Sequence, residues 1–173
     1  MEMARRKCIR LPAPAYESGW YFVTVCTEKR EAILAETSVG ADDSVRPCGV
    51  SRPSTLHLTP IGLIVRECLE GLENEADGIH VDKYVVMPNH IHAILHLKGD
   101  VGGQSRPPLP RVMQGFKSIT TRRCWALGRK TLWQRSFYDH VIRDENDYLR
   151  IWQYIEDNPL KWTEDIYFEG DTP

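Results

Sequence analysis

Two histidines, His90 and His92, flank one isoleucine inside the apolar run Val85-Val86-Met87-Pro88-Asn89-His90-Ile91-His92-Ala93-Ile94-Leu95. On a β-strand alternate residues share a face, so both imidazoles project to one side. Two imidazole nitrogens held together on a rigid face form half of a site for a divalent metal. The plainer alternative is one hydrogen-bonded core histidine beside one at the surface, and spacing alone favours it. His96 joins the same face if the strand continues, with Ile94 where a third alternating histidine would stand.

A divalent ion held by two histidines needs a third ligand from another element. The segment Gln153-Tyr154-Ile155-Glu156-Asp157-Asn158-Pro159 offers one. Tyr154 and Asn158 are four apart and share a helix face. The amide oxygen of Asn158 suits magnesium or manganese, and Tyr154 sits one turn away with a phenolic oxygen. The competing reading has Asn158 capping the helix and Tyr154 packing on the core. Tyr138, beside Asp139 and His140, is a rival nucleophile that lacks such a helix-mate. His140 is expected to support the site or the core, and Tyr148 ranks third.

The elements that must position these groups follow from periodicity. Trp20 to Cys26 is aromatic and β-branched and reads as a strand. Thr59-Pro60 opens a helix with Thr59 as cap and an apolar stripe from Ile61 to Leu72. His80 to Met87 and His90 to Leu97 read as strands, paired as a hairpin or joined as one strand bent at Pro88. Val112 to Leu127 and Glu145 to Asp157 read as helices, with Pro159 ending the second. Leu132 to Ile142 reads as extended. The stretch 37–54 is a Gly/Pro-rich loop with a short strand expected near Leu56 to Leu58. Residues 98–110 form a linker and 163–173 a tail. This alternation predicts a single α+β domain, an antiparallel sheet with helices on one face.

The 173 residues, 42% hydrophobic and 27% charged, fit one globular domain. No apolar run reaches the roughly 18 residues of a membrane span. No apolar segment follows the basic N-terminus (Arg5, Arg6, Lys7, Arg10), so a secretory signal is not expected. Five scattered cysteines without a C-x-x-C pair argue against disulfides and cysteine–zinc sites and point to a reducing cytoplasm. The net charge of -2 does not advertise nucleic-acid binding, but its distribution is uneven. Acid collects from Glu67 to Asp77. Base collects at Arg106, Arg111, Lys117, Arg122, Arg123, Arg129, Lys130 and Arg135, either as solvated helix faces or as one basic surface.

Five blocks, taken in order, carry a resemblance. They are Trp20-Tyr21-Phe22-Val23-Thr24-Val25-Cys26-Thr27, Tyr84-Val85-Val86-Met87-Pro88-Asn89-His90-Ile91-His92, Gly115-Phe116-Lys117-Ser118, Trp133-Gln134-Arg135-Ser136-Phe137-Tyr138-Asp139-His140 and Tyr154-Ile155-Glu156-Asp157-Asn158-Pro159-Leu160-Lys161. The block from Tyr84 to His92 is similar to the HUH motif of single-tyrosine transposases, and all five together resemble the REP-associated tyrosine transposases. The H-x-H-x-x-x-H spacing departs from the H-x-H-x-H of histidine-triad nucleotide hydrolases. The stretch 37–54 is longer and richer in Gly and Pro than the resemblance leads one to expect.

The resemblance implies a ferredoxin-like antiparallel sheet with the histidine strand near its centre. It implies Mg2+ or Mn2+ held by His90, His92 and Asn158, with Tyr154 as nucleophile. The substrate it implies is single-stranded DNA beside a hairpin, joined through a 5′-phosphotyrosine link during transposition. Lys117, Arg122, Arg123 and Arg143 are candidate phosphate contacts, and Trp125 or Trp133 candidate stacking platforms, with core packing preferred for Trp133. A cytoplasmic, nucleoid-associated location follows. Action in cis or in trans, and with it a homodimer, stays open. The alternatives are a domesticated sequence-specific DNA-binding protein without transposition activity and a phosphohydrolase of small nucleotides that uses water.

Overall fold

Strand β1 (Gly19–Cys26) is buried without interruption from Tyr21 to Val25, so both of its faces must be covered. This follows from a computed structural model that describes residues 18–38, 55–75, 78–99 and 107–164. The basic N-terminal segment, most of the 37–54 loop, Asp77, Arg106 and the tail beyond 164 lie outside the described residues.

Two short strands, β2 (Ala35–Ser38) and β3 (Thr55–Leu58), pair with each other as a separate ribbon. Helix α1 (Pro60–Glu70) follows, and Thr59 caps it by accepting a hydrogen bond from the Gly62 N–H at 3.1 Å. Gly62 is required by contact: a Cβ there would stand 1.9 Å from the carbonyl oxygen of Leu34. The single turn α2 (Leu72–Glu75) leads to β4 (Ile79–Val86) and β5 (His90–Leu97). These form a hairpin closed by Met87 N–H to His90 C=O at 2.8 Å, so Pro88 sits in a turn and not in a bent continuous strand. Helix α3 (Leu109–Cys124), β6 (Tyr138–Ile142) and α4 (Glu145–Asp157) complete the order.

The main sheet runs β4-β5-β1-β6 and every described pairing is antiparallel. Taken as four strands and two crossover helices, α1 and α3, this is the βαββαβ arrangement of ferredoxin-like folds. The histidine strand β5 lies inside the sheet, hydrogen-bonded on both sides.

Alternation divides the strands between two layers. Tyr21, Val23 and Val25 with Ile91, Ala93, Leu95 and Leu97 pack under α1 and α3, beside Val65, Leu69, Met113 and Phe116. Phe22, Ile94 and Ile142 face the other way and pack on Ile151 and Ile155 of α4. Helices therefore cover both faces, not the one face expected. Periodicity reveals the α4 stripe Tyr148, Ile151, Trp152 and Ile155; only the sheet order shows which side it closes.

A bulge in β4 seats α4. The pairing register shifts between Val81 and Lys83, leaving Asp82 outside the ladder. Bulges re-aim side chains, and here Asp82 and Lys83 both serve α4. Asp82 accepts from the Tyr148 hydroxyl at 2.7 Å. Lys83 pairs with Glu156 and lies 3.9 Å over the Trp152 ring. At the start of α4, Asp144 caps the helix and Asp147 bonds His140 Nε2 at 2.7 Å.

The α-helix ends at Asp157, ahead of Pro159, as expected, but the chain does not turn extended there. Asn158 keeps helical angles (φ -56°, ψ -43°) although proline follows, and the chain tightens into a 3-10 turn, Asn158–Glu164. Proline disfavours but does not forbid this conformation. Trp162 of the same turn, only 6% exposed, packs 5.8 Å from the His90 ring and anchors it.

Candidate active site

His90 and His92 are both buried and on the α4 face of β5, as alternation requires. Their Nε2 atoms converge to 3.0 Å. Each ring's other nitrogen is engaged: His90 Nδ1 lies 2.8 Å from Asn89 Oδ1, and His92 Nδ1 lies 2.8 Å from Thr24 Oγ1. A carboxamide oxygen only accepts, so His90 carries its proton on Nδ1 and presents a lone pair at Nε2. Burial, with the positive charge of Arg30, lowers the His90 pKa to about 3 and keeps it neutral. Neutral imidazole is the metal-binding form.

The donor set fits a divalent ion. An octahedron with metal–nitrogen bonds of about 2.1 Å has edges of about 3.0 Å, which is the spacing of the two nitrogens. Among the described residues no group of three His, Cys, Asp or Glu side chains could hold a metal ion, so a third ligand drawn from those residues would be of another type. Asn158 is 3% exposed and its Oδ1 is sealed from solvent. An amide oxygen combined with two imidazoles is a donor set that suits magnesium or manganese.

Tyr154 projects from α4 one turn before Asn158. Its hydroxyl lies 3.3 Å from His92 Nε2, and its ring contacts His92 and, edge-on, Phe22. It is also 40% exposed, so the phenol is at once next to the histidines and open to a large substrate. Phe22, 5.2 Å from the His92 ring, forms an apolar wall.

Other candidates stand elsewhere. Tyr138 pairs with Thr24, and Thr24 with His92, so two strand spacings (about 10 Å) separate Tyr138 from His92. Its ring packs on Phe22. His140 holds the start of α4 through Asp147. Tyr148 is tied to Asp82, and that bond pushes its pKa up to about 12. His96 shares the histidine face but stacks on Trp20 at 4.4 Å, about 13 Å along the strand from His92.

The four cationic candidates do not gather at one place. Lys117 donates to the carbonyls of Gln134 and of Arg135, the latter at 3.0 Å. Arg122 is exposed beside it. Arg123 turns toward α1, where it meets Glu67 at 2.5 Å and Cys68 Sγ at 3.3 Å. Arg143 is exposed just ahead of α4. Lys117 and Arg122 line an open groove of about 980 Å3 between α3 and residues 130–137. Arg111, Lys130 and Arg135 add to it, and none of its described lining residues is acidic. Trp125, 59% exposed, stands at its rim, while Trp133 is buried and donates to Thr120. The groove wall joins the site: Gln134 N–H bonds Cys26 C=O at 2.9 Å, and Cys26 is the strand partner of His90.

Sequence reasoning missed Thr24, Asn89, Phe22 and Trp162 as parts of this site. Asn89 carried a signal, a polar side chain next to His90 in an apolar run. Thr24 carried none, because its role depends on the β1–β5 register.

No protein-family model matches the chain. It is 29% identical over 180 residues to an uncharacterized protein of Haemophilus influenzae (strain ATCC 51907 / DSM 11121 / KW20 / Rd), covering 92% of this chain and 91% of that one. It is 33% identical over 89 residues to the REP-associated tyrosine transposase of Escherichia coli (strain K12). That match spans 50% of this chain and about half, 48%, of the relative. In fold it is similar to a REP-associated tyrosine transposase solved bound to a REP hairpin. The TM-score is 0.59 at 23% identity, over 94% of this chain and 74% of the other. The α+β fold is thus that of the tyrosine transposases. In sequence, across half of its length, the chain resembles a REP-associated tyrosine transposase.

Proposed function

We propose that this chain cleaves and transfers single strands of DNA, with Tyr154 as nucleophile, at hairpin-forming, REP-like sequences. The observation that carries the reading is the 3.3 Å approach of Tyr154 Oη to His92 Nε2, where two imidazole nitrogens converge.

In the reaction the Tyr154 oxygen attacks the scissile phosphorus in line. The bond from phosphorus to the 3′ oxygen breaks, and that oxygen takes up a proton. The products are a 5′-phosphotyrosine link and a free 3′-hydroxyl. Attack on the link by a 3′-hydroxyl rejoins strands, and no external energy source is needed because the ester bond is conserved. A phenol with a pKa of about 10 is a poor nucleophile at neutral pH and needs an electrophilic phosphorus. His90, His92 and Asn158 would hold Mg2+ or Mn2+, which supplies Lewis-acid polarisation of the phosphate and stabilises the transition-state charge. Phe22 and Trp162 enclose the histidines, and the exposed side of Tyr154 receives the DNA backbone.

The groove supports single-strand binding. Its cations Arg111, Lys117, Arg122, Lys130 and Arg135 suit phosphates, and Trp125 offers a stacking surface. Its wall residue Gln134 is bonded to Cys26, the strand partner of His90.

The test is incubation with labelled hairpin DNA bearing a single-stranded flank, in Mg2+ or Mn2+, followed by denaturing electrophoresis. A covalent protein–DNA adduct is expected, and it is absent in Tyr154→Phe and His92→Ala. An adduct that persists in Tyr154→Phe would move the nucleophile to Tyr138. Cleavage without an adduct would make water the nucleophile, and binding without cleavage would leave a DNA-binding protein.

A further inference from the structure

We infer that Thr24 is a positioning residue for the metal site, fixing the ring orientation of His92 and directing its Nε2 lone pair to the ion. This rests on the metal-site reading above and deepens it.

Register places Thr24 there. In the β1–β5 ladder Thr24 stands directly opposite His92, and alternation puts both on the α4 face. Thr24 is 2% exposed, and its Oγ1 lies 2.8 Å from His92 Nδ1. Its neighbours on that face, Phe22 and Ile94, are apolar, whereas Thr24 supplies a hydroxyl where the ring nitrogen needs one. A hydroxyl accepts as readily as it donates. Accepting from Nδ1–H selects the tautomer whose Nε2 is unprotonated, the atom that points at His90 Nε2. Asn89 Oδ1 does the same for His90. The two rings are thus held by two different elements, Thr24 from the neighbouring strand and Asn89 from the hairpin turn. Such outer partners orient metal-binding histidines, and their loss typically costs 10–100-fold in metal affinity or activity.

The experiment measures Mn2+ affinity, by water-proton relaxation, in the wild-type chain, Thr24→Val, Thr24→Ser and His92→Ala. In parallel it measures the Mg2+ concentration giving half-maximal adduct formation. Valine keeps the shape of threonine and removes the hydroxyl. Thr24→Val is expected to weaken Mn2+ binding about tenfold or more and to raise the half-maximal Mg2+ by a similar factor. Thr24→Ser, which keeps the hydroxyl, restores the affinity and the Mg2+ dependence. A merely structural role would lower the folded fraction without moving the metal dependence. If Thr24→Val binds Mn2+ like wild type, the inference is overturned and the metal site stands. If wild type binds Mn2+ no better than His92→Ala, the metal-site reading itself falls, and the role of Thr24 with it. Should the valine variant be unstable, Thr24→Ala against Thr24→Ser makes the same comparison.

Discussion

The two faces of the sheet are made by alternate residues of the same strands, and they solve opposite problems. Under α1 and α3, Tyr21, Val23, Ile91, Ala93 and Leu95 meet Val65, Leu69, Met113 and Phe116 in a continuous apolar layer. Under α4, the same strands present Phe22, Thr24, His90, His92 and Ile94, a mixed surface with a small apolar cluster. Helix α4 packs on that surface through Ile151 and Ile155 and is tied to it by polar contacts from Asp82, Lys83 and His140. One face therefore supplies stability through burial, and the other supplies a rigid floor on which reactive groups are arranged. A strand buried on both sides can carry histidines on one face because its other face holds it in place.

The comparison breaks most sharply at the reactive residues. Tyr154→Phe is expected to reduce adduct formation at least about a thousandfold, roughly 4 kcal/mol at the transition state. The ring is kept and the hydroxyl gives up only a long 3.3 Å contact with His92, so chemical denaturation should find stability nearly unchanged. Phe116→Ala, on the opposite face, should do the reverse. It empties a fully buried ring site at a cost of about 3–5 kcal/mol in unfolding free energy. What active site remains folded should react at the normal rate.

Smaller changes sharpen the division. Lys83→Met removes both the Glu156 pair and the cation over Trp152. The adduct rate should drop about tenfold, because a misplacement of about 1 Å can cost a hundredfold, with little change in denaturation midpoint. Trp125→Ala, at the groove rim, should weaken single-strand binding by about 1–3 kcal/mol. Titration by fluorescence anisotropy measures it, and the adduct rate at saturating DNA should be unaffected.

Asp147→Asn is expected to be the mildest. The Arg150 guanidinium, and then His140, hold the Asp147 carboxyl below the usual range. Its folded pKa is depressed, so its stabilisation is present above about pH 4 and fades as pH falls through the folded value. Thermal melts of the variant and wild type should therefore differ slightly at pH 7 and converge in acid.

Much of this architecture is legible in the chain itself. The caps are local: Thr59 with Pro60 opens α1 where expected, and the bounds Glu145 to Asp157 of α4 follow from periodicity. His90 and His92 share a face because strand alternation needs no tertiary information. The sequence does not show that Pro159 sits within a continuing turn, because burial of Trp162 beside His90 overrides a local preference. Nor does it reveal the bulge at Asp82, since a run that alternates on paper hides a one-residue slip until its partner strand is known. Among the basic residues, Arg123 is indistinguishable from Arg122 by sequence. One helix position turns it toward Glu67 on α1 and leaves Arg122 facing the groove.

By itself the sequence determined where α1, α4 and the histidine strand form and which residues of β1 and β5 share a face, because helix and strand periods and end caps are short-range properties of the chain. Tertiary structure alone decided which faces meet. It set Thr24 against His92, brought Tyr154 to 3.3 Å from the same imidazole, and separated Tyr138 by two strands. The physical reason is that those distances depend on sheet order, register and the seating of α4. These are fixed by burial and hydrogen bonding between segments more than 60 residues apart, such as the 62 separating His92 from Tyr154.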